Sequence, residues 1–170
     1  AIVGAPVFLS ILLRQRGLDP SHEAVLVSDG GLNRDSALAL WLLERAGQRR
    51  VSLYLGHVDR WADQGLELAR GAAPAAPVAA PGTGLTVPLP GARARSSPYA
   101  PVAVAAGDRL PSRLPEGRVV HLPHARLVQA DGTPRPAAEI WSQLDKAGVP
   151  RWAPLELVAD DPADAAVNYV

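Results

Sequence analysis

Four groups of residues in this chain have types and spacings that could do chemistry. Asp160, Asp161, Pro162, Ala163 and Asp164 form an Asp-Asp-x-x-Asp run, whose carboxylates one helical turn apart could hold a divalent cation against a diphosphate. His121 and His124 form a His-x-x-His pair able to supply two metal ligands. Ser28, Asp29, Gly30 and Gly31 lie between an apolar run and a helical run, where backbone amides could cradle a phosphate. Arg93 and Arg95 could make a small basic contact.

Each group also has a plainer reading. Carboxylates in the first turn of a helix are favoured by its dipole, and the aspartate-rich motif belongs to large all-helical enzymes, whereas here a strand-like run precedes it. Pro123 prevents regular helical spacing between the two histidines and no third ligand is evident, so structural or surface roles are expected for His121 and His124, as for His22 and His57. The glycine pair lacks the fuller glycine pattern and the lysine of a phosphate-binding loop, which leaves a turn. Arg93 and Arg95 read as part of a solvated loop. No metal and no cofactor are expected.

Among 170 residues there is no cysteine, which excludes disulfides, thiolate metal sites, iron–sulfur clusters and a thiol nucleophile within the sequence. Seventeen Lys plus Arg balance seventeen Asp plus Glu, so nothing in the charge argues for nucleic acid or an anionic membrane as partner. The 48% hydrophobic content can supply a core. Residues 1–13 form the longest uncharged apolar run, interrupted by Gly4, Pro6 and Ser10 and ended by Arg14, too short to span a bilayer. No initiator Met and no basic segment before an apolar stretch are present, so any targeting peptide has been removed or was not supplied. A periplasmic and a cytoplasmic location remain equally open.

The elements that must position these groups follow from periodicity. Residues 8–16 read as a short amphipathic helix stopped at Gly17, with Asp19-Pro20-Ser21 turning into a strand at 24–27. Residues 37–46 are a strong helix, apolar over most of its circumference and therefore expected to be largely buried, and 51–55 form a second strand. Strand, helix, strand at this spacing implies a parallel crossover.

Residues 71–101 turn to Ala, Pro and Gly and read as a connector, with a short edge strand at 85–89 between prolines. Beyond it, strands are expected at 102–106, 119–122 and 155–158, and helices at 137–147 and 163–170. The domain reading is therefore 1–70, connector 71–101, and 102–170. Trp41 and Trp61 are expected in the core, as are Trp141 and Trp152, unless exposure of the latter pair marks an interface.

A repeat runs through this layout. Helix, glycine, turn, strand, acidic loop and helix occur over residues 12–39 and again over 140–167. Ser28 follows Gly17 by eleven positions, as Ala159 follows Gly148.

The run Leu40-Trp41-Leu42-Leu43, then Val51, Leu53, Gly56, Trp61, Gly65 and Leu66, resembles the helix, strand, Asp-Gly-Gly turn and Trp-containing helix of tandem rhodanese-type sulfurtransferases. Ile2-Val3-Gly4-Ala5, Val120-His121-Leu122-Pro123, Ala130-Asp131-Gly132-Thr133 and Gly148-Val149 are similar to further stretches of that family. The resemblance implies a rhodanese-like three-layer αβα fold with a parallel sheet, duplicated and truncated at both ends. It also implies a sulfur-carrying cysteine at a strand end, heading a six-residue loop whose amides stabilise an anionic persulfide.

In this sequence that position is Ala159 and the loop continues Asp160, Asp161, Pro162, Ala163, Asp164 and Ala165, with Asp164 where the family tends to carry a basic residue. Ser28 is the counterpart in the non-catalytic half. The expected function is a catalytically silent rhodanese-like protein with no catalytic residues, binding protein partners in a larger assembly. The alternatives are a sulfurtransferase whose cysteine lies outside these residues and a small-anion binding module.

Overall fold

A computed structural model describes residues 6–61, 63–65 and 98–170. Its helices start and stop on local chemistry. Helix α1 (Pro6–Gln15) ends at Gly17, whose φ of 87° lets the chain turn back. There the Gly17 N–H donates to Arg14 O at 2.9 Å and the Leu18 N–H to Leu13 O at 3.0 Å, the paired bonds of a Schellman stop. Helix α2 (Arg34–Arg45) is capped by Asn33, whose Oδ1 accepts from the N–H groups of Asp35 and Ser36. Ser36 Oγ accepts in return from Asn33 N–H at 3.0 Å, and this reciprocal cap starts the helix three residues before the expected 37.

Helix α3 (Ala137–Lys146) follows Pro136 and stops at Gly148, φ 74°, on the same bonds as α1: Gly148 N–H to Asp145 O at 2.7 Å and Val149 N–H to Leu144 O at 2.9 Å. Helix α4 (Pro162–Tyr169) has Asp161 as its N-cap and proline at its first position.

Strands β1 (Ala24–Val27) and β2 (Val51–Tyr54) pair in parallel, Ala24 opposite Val51 and Val27 opposite Tyr54, with α2 as the crossover. Strands β3 (Val102–Ala105), β4 (Val119–His121) and β5 (Leu155–Val158) form a second sheet in the order β4-β3-β5, again all parallel. Among the described residues the protein is thus a mixed α/β chain with parallel sheets and four α-helices. Central strand β3 is buried along its whole length, as a parallel strand flanked on both edges should be. Around it Val102, Val104, Val120, Leu122, Leu144 and Val149 form the core, with Ile140, Leu127, Ala147, Ala153 and Leu157 packed against them.

Two compact units divide the chain: Ala1–Gly31 with Ala39–Val87, and Leu32–Leu38 with Pro88–Val170. The second therefore recruits a segment that the sequence reading assigned to residues 1–70. Two contacts explain this: Leu32 N–H donates to Gly132 O at 2.8 Å, and Arg34 reaches Asp161 and Asp164.

Helix α2 buries a stripe of Ser36, Ala37, Leu40 and Leu43 and leaves Leu38, Trp41 and Leu42 half-buried, so it is less enclosed than its composition suggests. Trp61 is half-buried and meets Tyr54 edge to face with centroids 5.6 Å apart. It follows a 3-10 turn at Val58–Arg60. Trp152 is 70% exposed and Trp141 45%, which corrects their expected place in the core. The expected strand at 85–89, Arg93, Arg95 and most of the connector lie outside the described residues. Among the described residues no helix is long and apolar enough to cross a membrane.

Candidate functional site

In open parallel sheets, ligand chemistry gathers beyond the carboxyl ends of the strands. At that end of the β4-β3-β5 sheet the second unit brings together Ala159, the three aspartates, both central histidines and, from the start of α2, Arg34.

The aspartates are not a bare acidic cluster. Asp161 Oδ1 accepts from Ala163 N–H at 2.9 Å, capping α4, while its Oδ2 takes a bond from an Arg34 terminal nitrogen. Arg34 Nε meets Asp164 Oδ1 at 2.7 Å, so one guanidinium bridges two carboxylates of the first helical turn. Asp160 turns the other way, accepting from the Ser112 N–H at 3.0 and 3.1 Å and from Ser112 Oγ at 2.9 Å.

This arrangement revises the expected six-residue loop in two ways. The helix begins at Pro162, because Asp161 caps it and proline is preorganised for its first position, so Pro162, Ala163 and Asp164 are first-turn residues. Asp164, where the resemblance led a basic residue to be expected, is also paired with one in space, Arg34, which lies 127 positions before Asp161.

The amide donors of a helix N-terminus are what an anion or persulfide would use. Here Pro162 has no N–H, the Ala163 N–H is held by Asp161 Oδ1, and the Asp164 N–H donates to Asp161 O at 3.1 Å. Ala159, half-buried at the end of β5, offers neither nucleophile nor charge.

His121 Nε2 donates to Gly107 O at 2.9 Å, and His124 Nδ1 donates to Ala106 O at 3.2 Å while standing 3.9 Å from Asp164 Oδ1. The two rings therefore brace consecutive carbonyls just beyond β3. Among the described residues no three His, Asp or Glu side chains are grouped as a metal site needs. Gly107 is buried against this cluster: a Cβ there would lie 3.2 Å from Asp164 Oδ2 and 3.4 Å from Arg109 O.

The Ser28–Gly31 turn lies in the first unit. Ser28 Oγ donates to Gly31 O at 2.6 Å, closing the Ser28-Asp29-Gly30-Gly31 turn on itself, and Gly31 adopts φ 65°. His57 Nδ1 donates to Asp29 O at 2.8 Å, so it too serves a backbone carbonyl. His22 is an exposed neighbour of Asp19, 3.9 Å away.

A third cluster lies outside both turns. The Arg151 guanidinium stands 5.7 Å from the Trp141 ring and 5.5 Å from the Trp152 ring, and both indoles are exposed. Sequence reasoning missed the roles of Arg34, Ser112, Gly107 and Arg151. No local signal marks them, because each acts on a partner distant in the sequence or through the exposure of a neighbour.

No protein-family model matches this chain, and no curated protein matches it. Among solved structures it is similar to a tyrosine-to-alanine variant of EanB in complex with ergothioneine, with a TM-score of 0.69 and 14% identity over 96% of this chain and 47% of that chain. At that identity the likeness is one of fold. The chain spans about half of the length of the EanB chain.

Proposed function

We propose that this chain is a catalytically silent, rhodanese-like protein on a duplicated α/β scaffold, and that it binds other proteins as a subunit of a larger assembly. The observation that carries the binding half is the exposed Trp141–Arg151–Trp152 group. Tryptophan and arginine dominate the energetics of protein interfaces, and Trp152, largely exposed, and Trp141, about half exposed, gain from being covered. Silence is supported by Ala159 at the sulfur-carrying position and by helix amides that the chain's own Asp161 consumes. The same consumption weakens the small-anion reading.

Full-length protein purified by gentle extraction is expected to run in a complex, with Trp152→Ala lowering partner recovery at least tenfold. A free monomer with no partner would remove the binding half. A thiosulfate:cyanide assay is expected to give no turnover, and cysteine-dependent turnover would replace silence with a sulfurtransferase. The ergothioneine bound to EanB supplies a third arm: thermal stabilisation of this chain by ergothioneine would move the reading to a small-molecule site.

A further inference from the structure

Trp141, Arg151 and Trp152 are displayed by two fixed elements. Helix α3 carries Trp141 and stops at Gly148, and the chain then runs through buried Val149 into a turn in which Ala153 N–H donates to Pro150 O at 3.0 Å. Arg151 and Trp152 are the two central residues of that turn. Immediately beyond it, Pro154 O accepts from Val102 N–H at 2.9 Å, which ties the turn to central strand β3. Turn centres favour Gly, Pro, Asn, Asp and Ser for conformational reasons that neither Arg nor Trp satisfies. Trp152, 70% exposed at the tip, also lies outside the core, so neither turn chemistry nor packing accounts for it.

The charge at this tip has no counter-charge. Arg34 pairs with Asp161 and Asp164, and Arg135 with Glu139 at 3.4 Å. Arg151 is exposed and meets the two indoles, with no ion pair or side-chain hydrogen bond among the described residues. Asp145, one helical turn after Trp141, and Glu156, in β5, are exposed carboxylates close to it in the chain, yet neither pairs with it. A guanidinium stacked on aromatic faces keeps its N–H edge directed away from the rings, as a planar fork that fits one carboxylate with two parallel bonds. Stacking and the hydrogen-bonded turn hold that fork in place beforehand, so little side-chain freedom is left to lose on binding.

We propose that the Trp141–Arg151–Trp152 group takes an acidic segment of a protein partner, with one carboxylate paired to the Arg151 fork and flanking aliphatic or proline residues laid on the indoles. Charge complementarity selects the carboxylate, and the exposed indoles select its apolar neighbours. A phosphorylated segment calls for a cluster of arginines, and this group has one. The inference rests on the protein-binding reading and names the chemistry of the partner at that same site.

The probe is the end-blocked peptide Ala-Leu-Pro-Glu-Leu-Pro-Ala, titrated into the full chain and followed by NMR at the Trp141 and Trp152 indole N–H and the Arg151 Nε–H. Saturable shifts of all three are expected. The peptide with Gln in place of Glu is expected to bind about tenfold more weakly, the difference made by one charge-assisted pair. In the chain, Arg151→Gln should erase the preference for Glu over Gln. Arg151→Lys should restore only part of it, since an ammonium keeps the charge without the fork. Trp152→Ala should weaken both peptides alike and leave some preference standing. The Glu-against-Gln comparison on the unmodified chain decides the matter if any variant fails to fold.

Equal binding of the two peptides, a preference that survives Arg151→Gln, or shifts confined to other residues overturns the proposal. So does a peptide with phosphoserine in place of Glu that binds more tightly than the Glu peptide, which would assign the site to a phosphorylated segment. Concentration-dependent shifts of these three resonances without peptide would assign it to a second copy and overturn the proposal as well. Partner recovery that falls with Trp152→Ala but is indifferent to Arg151→Gln sinks this inference alone and spares the protein-binding reading.

Discussion

Arg34 Nε lies 2.7 Å from Asp164 Oδ1, and that contact ties the first turn of α2 to the first turn of α4. Arg34 is about half exposed while Asp164 is 18% exposed, so solvent screens the pair only from one side. Arg34→Gln is expected to destabilise the protein by about 1 kcal/mol, which lowers the melting temperature by roughly 2–4 °C for a chain of this size. In a double-mutant cycle the loss should shrink when Asp164 is already Asn. Equal losses in both backgrounds would show that Arg34 acts by packing.

The matched helix stops make a paired prediction. Gly17→Ala and Gly148→Ala each force a side chain into left-handed backbone, at φ 87° and 74°, and each should cost about 1 kcal/mol. Gly148→Ala also brings a Cβ against the Arg118 guanidinium, a flexible group that can move aside, so the two losses should agree closely. Asn at either position should recover part of the loss, measured by urea denaturation.

How far these features were legible in the sequence depends on their range. Gly17 and Gly148 mark their helix ends in the sequence because a left-handed stop is a one-residue requirement. The β-strands were found within a residue or so because apolar runs bounded by polar residues are local. The start of α2 was misplaced by three positions, since the Asn33–Ser36 reciprocal cap competes with an equally plausible turn through Asp29-Gly30-Gly31. Arg34 was invisible as a partner of the acidic loop, because spacing in sequence says nothing about a contact 127 positions long. The exposure of Trp152 was likewise unreadable from an apolar residue type alone.

Acid should act on Asp19. Hydrogen bonds from the Ser21 backbone N–H and side chain, assisted by His22 and Arg14, hold its carboxyl below the usual carboxylate range. A carboxylate depressed in the folded state contributes stability above its unfolded pKa and loses it as pH falls through the folded value. The Asp19→Asn variant should therefore show a shallower loss of stability on the acid limb, and the Asp19 carboxyl carbon should titrate below a free aspartate by NMR.

Leu122 and Trp152 should separate stability from binding. Leu122 is 1% exposed in the core, and Leu122→Ala should cost roughly 2–5 kcal/mol. Trp152 is 70% exposed, and Trp152→Ala should change stability by no more than about 0.5 kcal/mol while reducing partner recovery. Thermal melts alongside co-purification of both variants check the contrast; a Trp152→Ala protein that melts far below the parent would make that indole a structural residue.

The recruitment of Leu32–Leu38 by the second unit has a practical consequence for anyone dissecting this molecule. A cut placed in the Ala- and Pro-rich stretch yields a C-terminal piece that keeps Asp161 and Asp164 but forfeits the only guanidinium described as bridging them, along with the Leu32 strap to Gly132. Expressing the halves separately would therefore produce a piece weaker than its share of the whole, whereas mixing the halves should restore the missing cation in trans.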